Sequence, residues 1–591
     1  MRNRLELDPK VLAPLRRLPL AGLALLVASG CTGMVAPGNS GAPGSNSSGG
    51  SGSGSAGASV GAGASAGAGV GAGAAAGAAS VGPLSTGGVR LRLLTQAEYL
   101  ASIQSLLGTL TAQLTLPVDT SVAGFISVGA AEIAVGDVAV EQYETATLAA
   151  TAEVFGDTQR WQTLVGCQPK ADLSDACVTT FIKSFGRRAF RRDLVDAEVT
   201  QWVGVAQSSA QLASSAAQGL AAATSGLLQS PNFLYRVETN KLDPSNGRLK
   251  YDGLSMANRL SYLLTGGPPS DALLTSAAAG QLDTVDGVRA AATQFLTSAN
   301  AVDRMTAFFS EFGAVQQVLK VTKDATLFPN YNSALQSSMY QGTQLFIKNI
   351  VLAPSADVRS FFDSPQTFAD AALAPIYGVP VPASGFAQVQ LPAGNGRAGI
   401  LGQASVIAGQ SQENRTSPTR RGVFILSNLL CATPPPPPPG VNTAVVQDPN
   451  TTARQKMIAH RATASCNACH GLFDPLGFAL EHFDPIGQYR ATENGLTIDA
   501  TGTVDSINFD GGDQLGAALR QDPRALSCMM SSFYRDANAS VDATKADAAQ
   551  VDSLVKTLTT DNYVWRNLVA DFAASDAFRS APALPVMTAS Q

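Results

Sequence analysis

Residues 33–88 are almost all Gly, Ala and Ser, as in GSNSSGGSGSGSAGASVGAGASAGAG. Such a segment has no large apolar side chains to bury and cannot offset the entropy lost on folding. It divides the chain into a short leader and a body that begins at Val89. As a random coil the tract reaches on the order of 40 Å. About 500 residues lie beyond it, more than one hydrophobic core supports. With 45% hydrophobic and 14% charged residues, the chain has the material for several cores.

The leader reads as an export signal. MRNRLELDPKVLAPLRR carries a net charge of +3 and precedes LPLAGLALLVAS, an apolar run too short to span a bilayer. The run ends in Ala28-Ser29-Gly30-Cys31, small residues before a cysteine that resemble the bacterial lipobox. Residues 1–30 are therefore read as a lipoprotein signal peptide and Cys31 as the lipidated residue. Residues 31–88 are read as a lipidated flexible linker, with the membrane as partner through acyl chains. The whole chain has a net charge of −5, and −8 without the leader. That balance argues against nucleic acid as a partner. The expected location is the bacterial cell envelope, lipid-anchored, on the periplasmic or the outer face.

The body reads as mainly α. In LTQAEYLASIQSLLG, Thr95 and Glu98 form a capping box and Gly108 supplies a stop. FIKSFGRRAFRR, AAQGLAAATSGLLQ, GLSMANRLSYLLT, RAAATQFLTSA and SSMYQGTQLFIKNIV carry the same helical periodicity. Strand signals are few and short, FAQVQLP among them. A helix is expected to open at Ser417-Pro418, with proline at its first position. ATPPPPPPGV, residues 432–441, reads as an extended polyproline strap. Asp474-Pro475-Leu476-Gly477 and Asp484-Pro485-Ile486-Gly487 both read as type I turns framing GFALEHF.

Seven cysteines and three histidines are distributed unevenly. Cys167 and Cys177 enclose a polar loop and are expected to form a disulfide; Cys431 and Cys528 flank the C-terminal part as a second candidate pair. Cys466 and Cys469 remain, within CNACH, in the same window as all three histidines. Cys-x-x-Cys-His is the pattern on which c-type haem is attached: two thioethers hold the porphyrin and His470 ligates the iron from the proximal side. Met529 and Met530, 59 and 60 residues after His470, are the preferred second axial ligands. His482, His460 and Met457 are the other candidates. Two further readings stay open. Cys466, Cys469, His470 and His482 could hold zinc, or Cys466 and Cys469 could form a local disulfide.

These motifs carry a resemblance. The body is similar to a modular bacterial secreted family of domains of unknown function 1587, 1595, 1592, 1588 and 1585, with planctomycete cytochrome-like members. LRLLTQAEYLASIQSLLG resembles the first module, and FIKSFGRRAFRRDLVDAEV with LLQSPNFLYRVE the second. YDGLSMANRLSYLLTGGPPSDALLTSAAAGQL resembles the third, and the segment from RAGILGQASVIAGQ through CNACHGLFDPLGFALEHFDPIG closely resembles the fourth. IDATGTVDSINFDGGDQLGAALRQDPRALSCMMSSFYR resembles the last, with Tyr534-Arg535-Asp536-Ala537 in place of the usual Tyr-Ala-x-Gly-Arg. The expected modules are 89–160, 161–245, 246–385, 386–492 with the strap and CxxCH, and 493–585. The resemblance implies a cytochrome c-like C-terminal part.

The function these readings imply is that of a membrane-tethered, c-type cytochrome-like envelope protein. One covalent haem would exchange electrons with an unidentified redox or surface partner. The alternative is a surface lipoprotein that serves as a binding scaffold, with Cys466–Cys469 as a structural disulfide. No catalytic residue is assigned: the body from Val89 on contains neither GxSxG nor HExxH, and with every histidine inside residues 460–482 a His-containing triad elsewhere is excluded.

Overall fold

Thr95 opens the first helix as its sequence predicts. Its hydroxyl accepts from Glu98 N, the Glu98 carboxylate accepts from Thr95 N at 3.0 Å, and Gly108 closes the helix Gln96–Leu107 at a φ of +77°. In this computed structural model the described residues are 91–242, 249–436, 448–505, 507–540 and 548–581. The expected signal peptide, Cys31, the Gly/Ala/Ser linker and the strap beyond residue 436 lie outside them.

The described body is mainly α, and no described strand exceeds four residues. AAQGLAAATSGLLQ and GLSMANRLSYLLT form helices with those bounds, Ala216–Gln229 and Gly253–Thr265. Ser417 caps the helix Pro418–Phe424, with Pro418 at its start. FAQVQLP supplies the strand Ala387–Gln390, which pairs antiparallel with Gln366–Ala369. Among the described residues, no helix is long and apolar enough to cross a membrane.

Three cores form. The first lies among helices between Leu94 and Leu234, so residues from the expected modules 89–160 and 161–245 share it. The largest gathers residues from Phe125 to Phe578. At its centre Trp565, 1% exposed, stacks on Phe308 at 5.9 Å and meets Phe533 edge-on at 4.9 Å. That cluster fastens the helices Ala299–Phe312, Pro523–Asn538 and Trp565–Ala574 to one another. A small third core sits under the Gln366–Gln390 strand pair, with Leu335, Met339, Tyr377 and Ile486.

Buried polar groups join the first two cores. Tyr262 belongs to the first core but stands on the helix Gly253–Thr265, which otherwise packs into the second. Its hydroxyl bonds Ser102 Oγ at 2.8 Å and accepts from Arg191 at 3.2 Å. Arg191, 1% exposed, also donates to the carbonyls of Asn232, Phe233 and Tyr235. Its FGRRAFRR neighbours are ion-paired: Arg187 with Asp193, Arg188 with Asp271 and Arg192 with Glu198.

Glu311, on the helix Ala299–Phe312 of the main core, carries a pH dependence. It accepts from Ile126 N at 2.9 Å, and burial, with the Asp536 charge adding to it, pushes its carboxyl from 4.5 up to about 7. The folded chain then binds this proton more tightly than the unfolded chain. Its contribution to stability is intact below about pH 4.5 and falls as pH rises through 7. Glu311→Gln keeps the acceptor for Ile126 and removes the ionisation. Thermal unfolding across this range is expected to show a flatter pH profile for the variant and a higher melting temperature than wild type above pH 7.

Candidate haem-attachment site

Cys466, Cys469 and His470 all lie on one helix, Ala464–Phe478. Their spacing of three and four residues puts them on neighbouring positions of one helix face. Leu472, 53% exposed, continues the stripe from Cys469. Both cysteines are free thiols and half-buried. The other four described cysteines are paired as expected, Cys167 with Cys177 and Cys431 with Cys528.

The first Asp-Pro-x-Gly segment is not a turn. Asp474 and Pro475 continue the helix to Phe478. The second is a turn: Gly487 N donates to Asp484 O at 3.1 Å, and Gly487 adopts a φ of +88°. A residue before proline disfavours helical backbone, and an interior proline removes a helical hydrogen bond. Tertiary packing overrides both preferences here. Gly422 and Gly477 let the helices Pro418–Phe424 and Ala464–Phe478 approach backbone to backbone. A Cβ on Gly422 would stand 1.8 Å from Phe473 O, and one on Gly477 1.9 Å from Pro418 O. The first helix then runs into a π-helical turn, Ile425–Leu429.

This close approach brings Thr419 to Asp474. The Thr419 hydroxyl donates to Asp474 Oδ1 at 3.0 Å, and the Asp474 carboxylate also meets His470 Nδ1 at 3.1 and 3.2 Å. The Asp474 side chain is fully buried, whereas that of His470 is 19% exposed. Burial pushes the Asp474 carboxyl up, against the lowering effect of His470, Thr419 and Arg461. With Nδ1 engaged, Nε2 is the ring nitrogen left for a metal. The His470 ring packs against His460 at 4.8 Å, nearly perpendicular, and against Phe473 at 4.9 Å. Met457 Sδ lies 3.8 Å from the same Thr419 hydroxyl.

The residues present fit a c-type haem: two free thiols at the attachment spacing, and a histidine whose inner nitrogen is held by a buried carboxylate. Met529, Met530 and His482 stand elsewhere. Met529 and Met530 are fully buried in the main core on the helix Pro523–Asn538. His482 bonds Arg490 O through Nδ1 at 3.0 Å and stacks on Tyr489. Among the described residues, no group of three or more His, Cys, Asp or Glu side chains is arranged to hold a metal ion. A cleft of about 620 Å³ flanks the CxxCH helix, lined by Arg454, Ile458 and Arg461 on one side and by Pro475, Phe478 and Phe509 on the other.

Sequence reasoning missed Asp474 as a partner of His470, although its position four residues on was the available signal. It also missed Arg421. This fully buried guanidinium donates to Glu481 at 2.9 Å, to Ser411 Oγ at 3.0 Å, and to the carbonyls of Leu480, Phe483 and Asp484. It holds the second Asp-Pro turn against the helix that carries Thr419.

Four family models match the chain in order. They are PSD3, a protein of unknown function (DUF1587), at residues 92–156; PSD5 (DUF1595) at 177–238; PSD4 (DUF1592) at 252–379; and PSCyt3 (DUF1588) at 397–493. The last contains the whole CxxCH helix, Thr419 and Arg421. No curated protein and no solved structure matches. With its modules in this order and CNACH inside the DUF1588 segment, the chain belongs to the multi-module family of cytochrome-like domains of unknown function 1587, 1595, 1592 and 1588.

Proposed function

We propose that the protein is a c-type cytochrome of the cell envelope, with one haem on Cys466 and Cys469 and His470 as proximal ligand. The observation that carries this reading is the set of two free thiols and one carboxylate-held histidine on a single helix. In an oxidising compartment, where Cys167–Cys177 and Cys431–Cys528 are joined, two thiols left free at this spacing fit thioether attachment better than an incidental pair. Bound there, the haem supplies one-electron exchange. Cys466 and Cys469 would hold the porphyrin edge, Asp474 would orient the His470 imidazole, and the main core behind Cys469 keeps that helix fixed.

The lipobox at Cys31 and the Gly/Ala/Ser linker support attachment to a membrane by acyl chains. A linker of that reach lets a tethered carrier search for its redox partner. For the second axial position, Met529 and Met530 would have to leave the core to reach an iron held by His470 Nε2, and His460 would have to leave its packing against the His470 ring.

The test is a spectroelectrochemical titration of protein exported with the cytochrome c maturation machinery. A single one-electron wave, absent from Cys466→Ala/Cys469→Ala, is the expected result. A wild-type protein with no redox-active absorbance would defeat the reading and leave the scaffold alternative. Met457→Leu, Met529→Leu, Met530→Leu and His460→Ala, compared in the same titration, identify the second axial ligand as the residue whose loss changes the iron's spin state.

A further inference from the structure

We propose that Asp474 is a positioning residue: it fixes the His470 ring with Nδ1 as the buried donor and Nε2 as the iron ligand, and its carboxylate holds the haem at a low reduction potential. This inference rests on the haem reading above. Three observations carry it. The carboxylate lies 3.1 and 3.2 Å from Nδ1 and is fully buried. Its Oδ1 is fixed from the other side by Thr419 at 3.0 Å. The chain keeps Asp474 and Pro475 in helical conformation against the local preference of both residues, which keeps Asp474 one helical turn after His470, facing its ring.

The physical consequence follows from charge. A metal-ligating imidazole that donates its other N–H to a carboxylate has a fixed tautomer and is a stronger base toward the metal. Stronger donation favours ferric over ferrous iron, because the oxidised ion carries the larger charge. Replacing the carboxylate by a neutral amide weakens that donation. Removing the Thr419 hydroxyl has the opposite effect, since Oδ1 loses a competing donor and the carboxylate accepts more strongly from Nδ1.

The experiment measures the haem midpoint potential in wild type, Asp474→Asn and Thr419→Val, together with covalent haem content and thermal unfolding. Asp474→Asn is expected to keep its haem and to shift the redox equilibrium at least tenfold toward the reduced form, an upward move of about 59 mV for one electron. Thr419→Val is expected to move it downward. A merely structural role for Asp474 would lower the melting temperature and leave both potentials in place. A haem-loaded Asp474→Asn protein with an unmoved potential would overturn the inference and leave the haem reading standing. If Asp474→Asn does not fold, an unmoved potential in Thr419→Val overturns it instead. Absence of haem from the wild type would overturn the haem reading, and this inference with it.

Discussion

Cys431→Ala/Cys528→Ala is expected to lose on the order of 4–5 kcal/mol of stability, the loop-closure value for a crosslink of this span. The two cysteines are 97 residues apart, and the segment between them carries the whole CxxCH helix. Cys528 is buried in the main core, at 2% exposure, on the helix that also holds Met529 and Met530. Breaking the link therefore frees the site-bearing segment in the unfolded ensemble without first disturbing the packing around Trp565. Cys167–Cys177, with a separation of 10, is expected to contribute about 3 kcal/mol on the same reasoning. Urea midpoints of the two double variants and of reduced wild type give the comparison. Equal losses for the long and the short crosslink would show that loop length is not what sets their contributions.

Arg421→Ala is expected to cost about 3–5 kcal/mol, because it strips the closer and more deeply buried of two arginine partners from a buried carboxylate. Glu481 is 2% exposed and would keep only Thr416 at 2.6 Å and Arg490 at 3.3 Å. Burial already pushes the Glu481 carboxyl up, and Arg421 is the strongest influence pulling it back down. The carbonyls of Leu480, Phe483 and Asp484 would lose a donor at the same time. Arg421→Ala/Glu481→Gln removes the buried charge that has lost its closer partner and is expected to recover part of the loss, read from the urea midpoints of the single and double variants. If the double variant is no more stable than Arg421→Ala, the buried charge is not the source of the cost.

The elements that local chemistry specifies were legible in the sequence. The Thr95–Glu98 box, the Ser417-Pro418 opening and the stop at Gly108 each rest on contacts within a few residues, and all stand where the sequence puts them. Both disulfides were legible because the cysteines are few and the leader reads as an export signal. CxxCH drew attention to its helix because its spacing is a local property. The helical state of Asp474-Pro475 was not legible. It depends on backbone contact between Gly422 and Phe473 and between Gly477 and Pro418, residues about fifty to sixty positions apart. The Asp474 turn reading failed for the same reason that Asp474 can reach His470. Arg421 and Arg191 were hidden too. In sequence each is one of a pair of adjacent arginines, and only the fold decides that Arg191 and Arg421 are the buried members, while Arg192 pairs with Glu198 and Arg420 donates to Ser411 O.

Acid–acetone extraction followed by a pyridine haemochrome spectrum tests the haem reading most directly, on protein exported with the cytochrome c maturation machinery. A c-type α band that stays with the wild-type polypeptide and vanishes in Cys466→Ala/Cys469→Ala is the predicted result. A wild-type chain that carries no haem, or surrenders all of it to the acetone phase, would contradict the assignment of Cys466, Cys469 and His470.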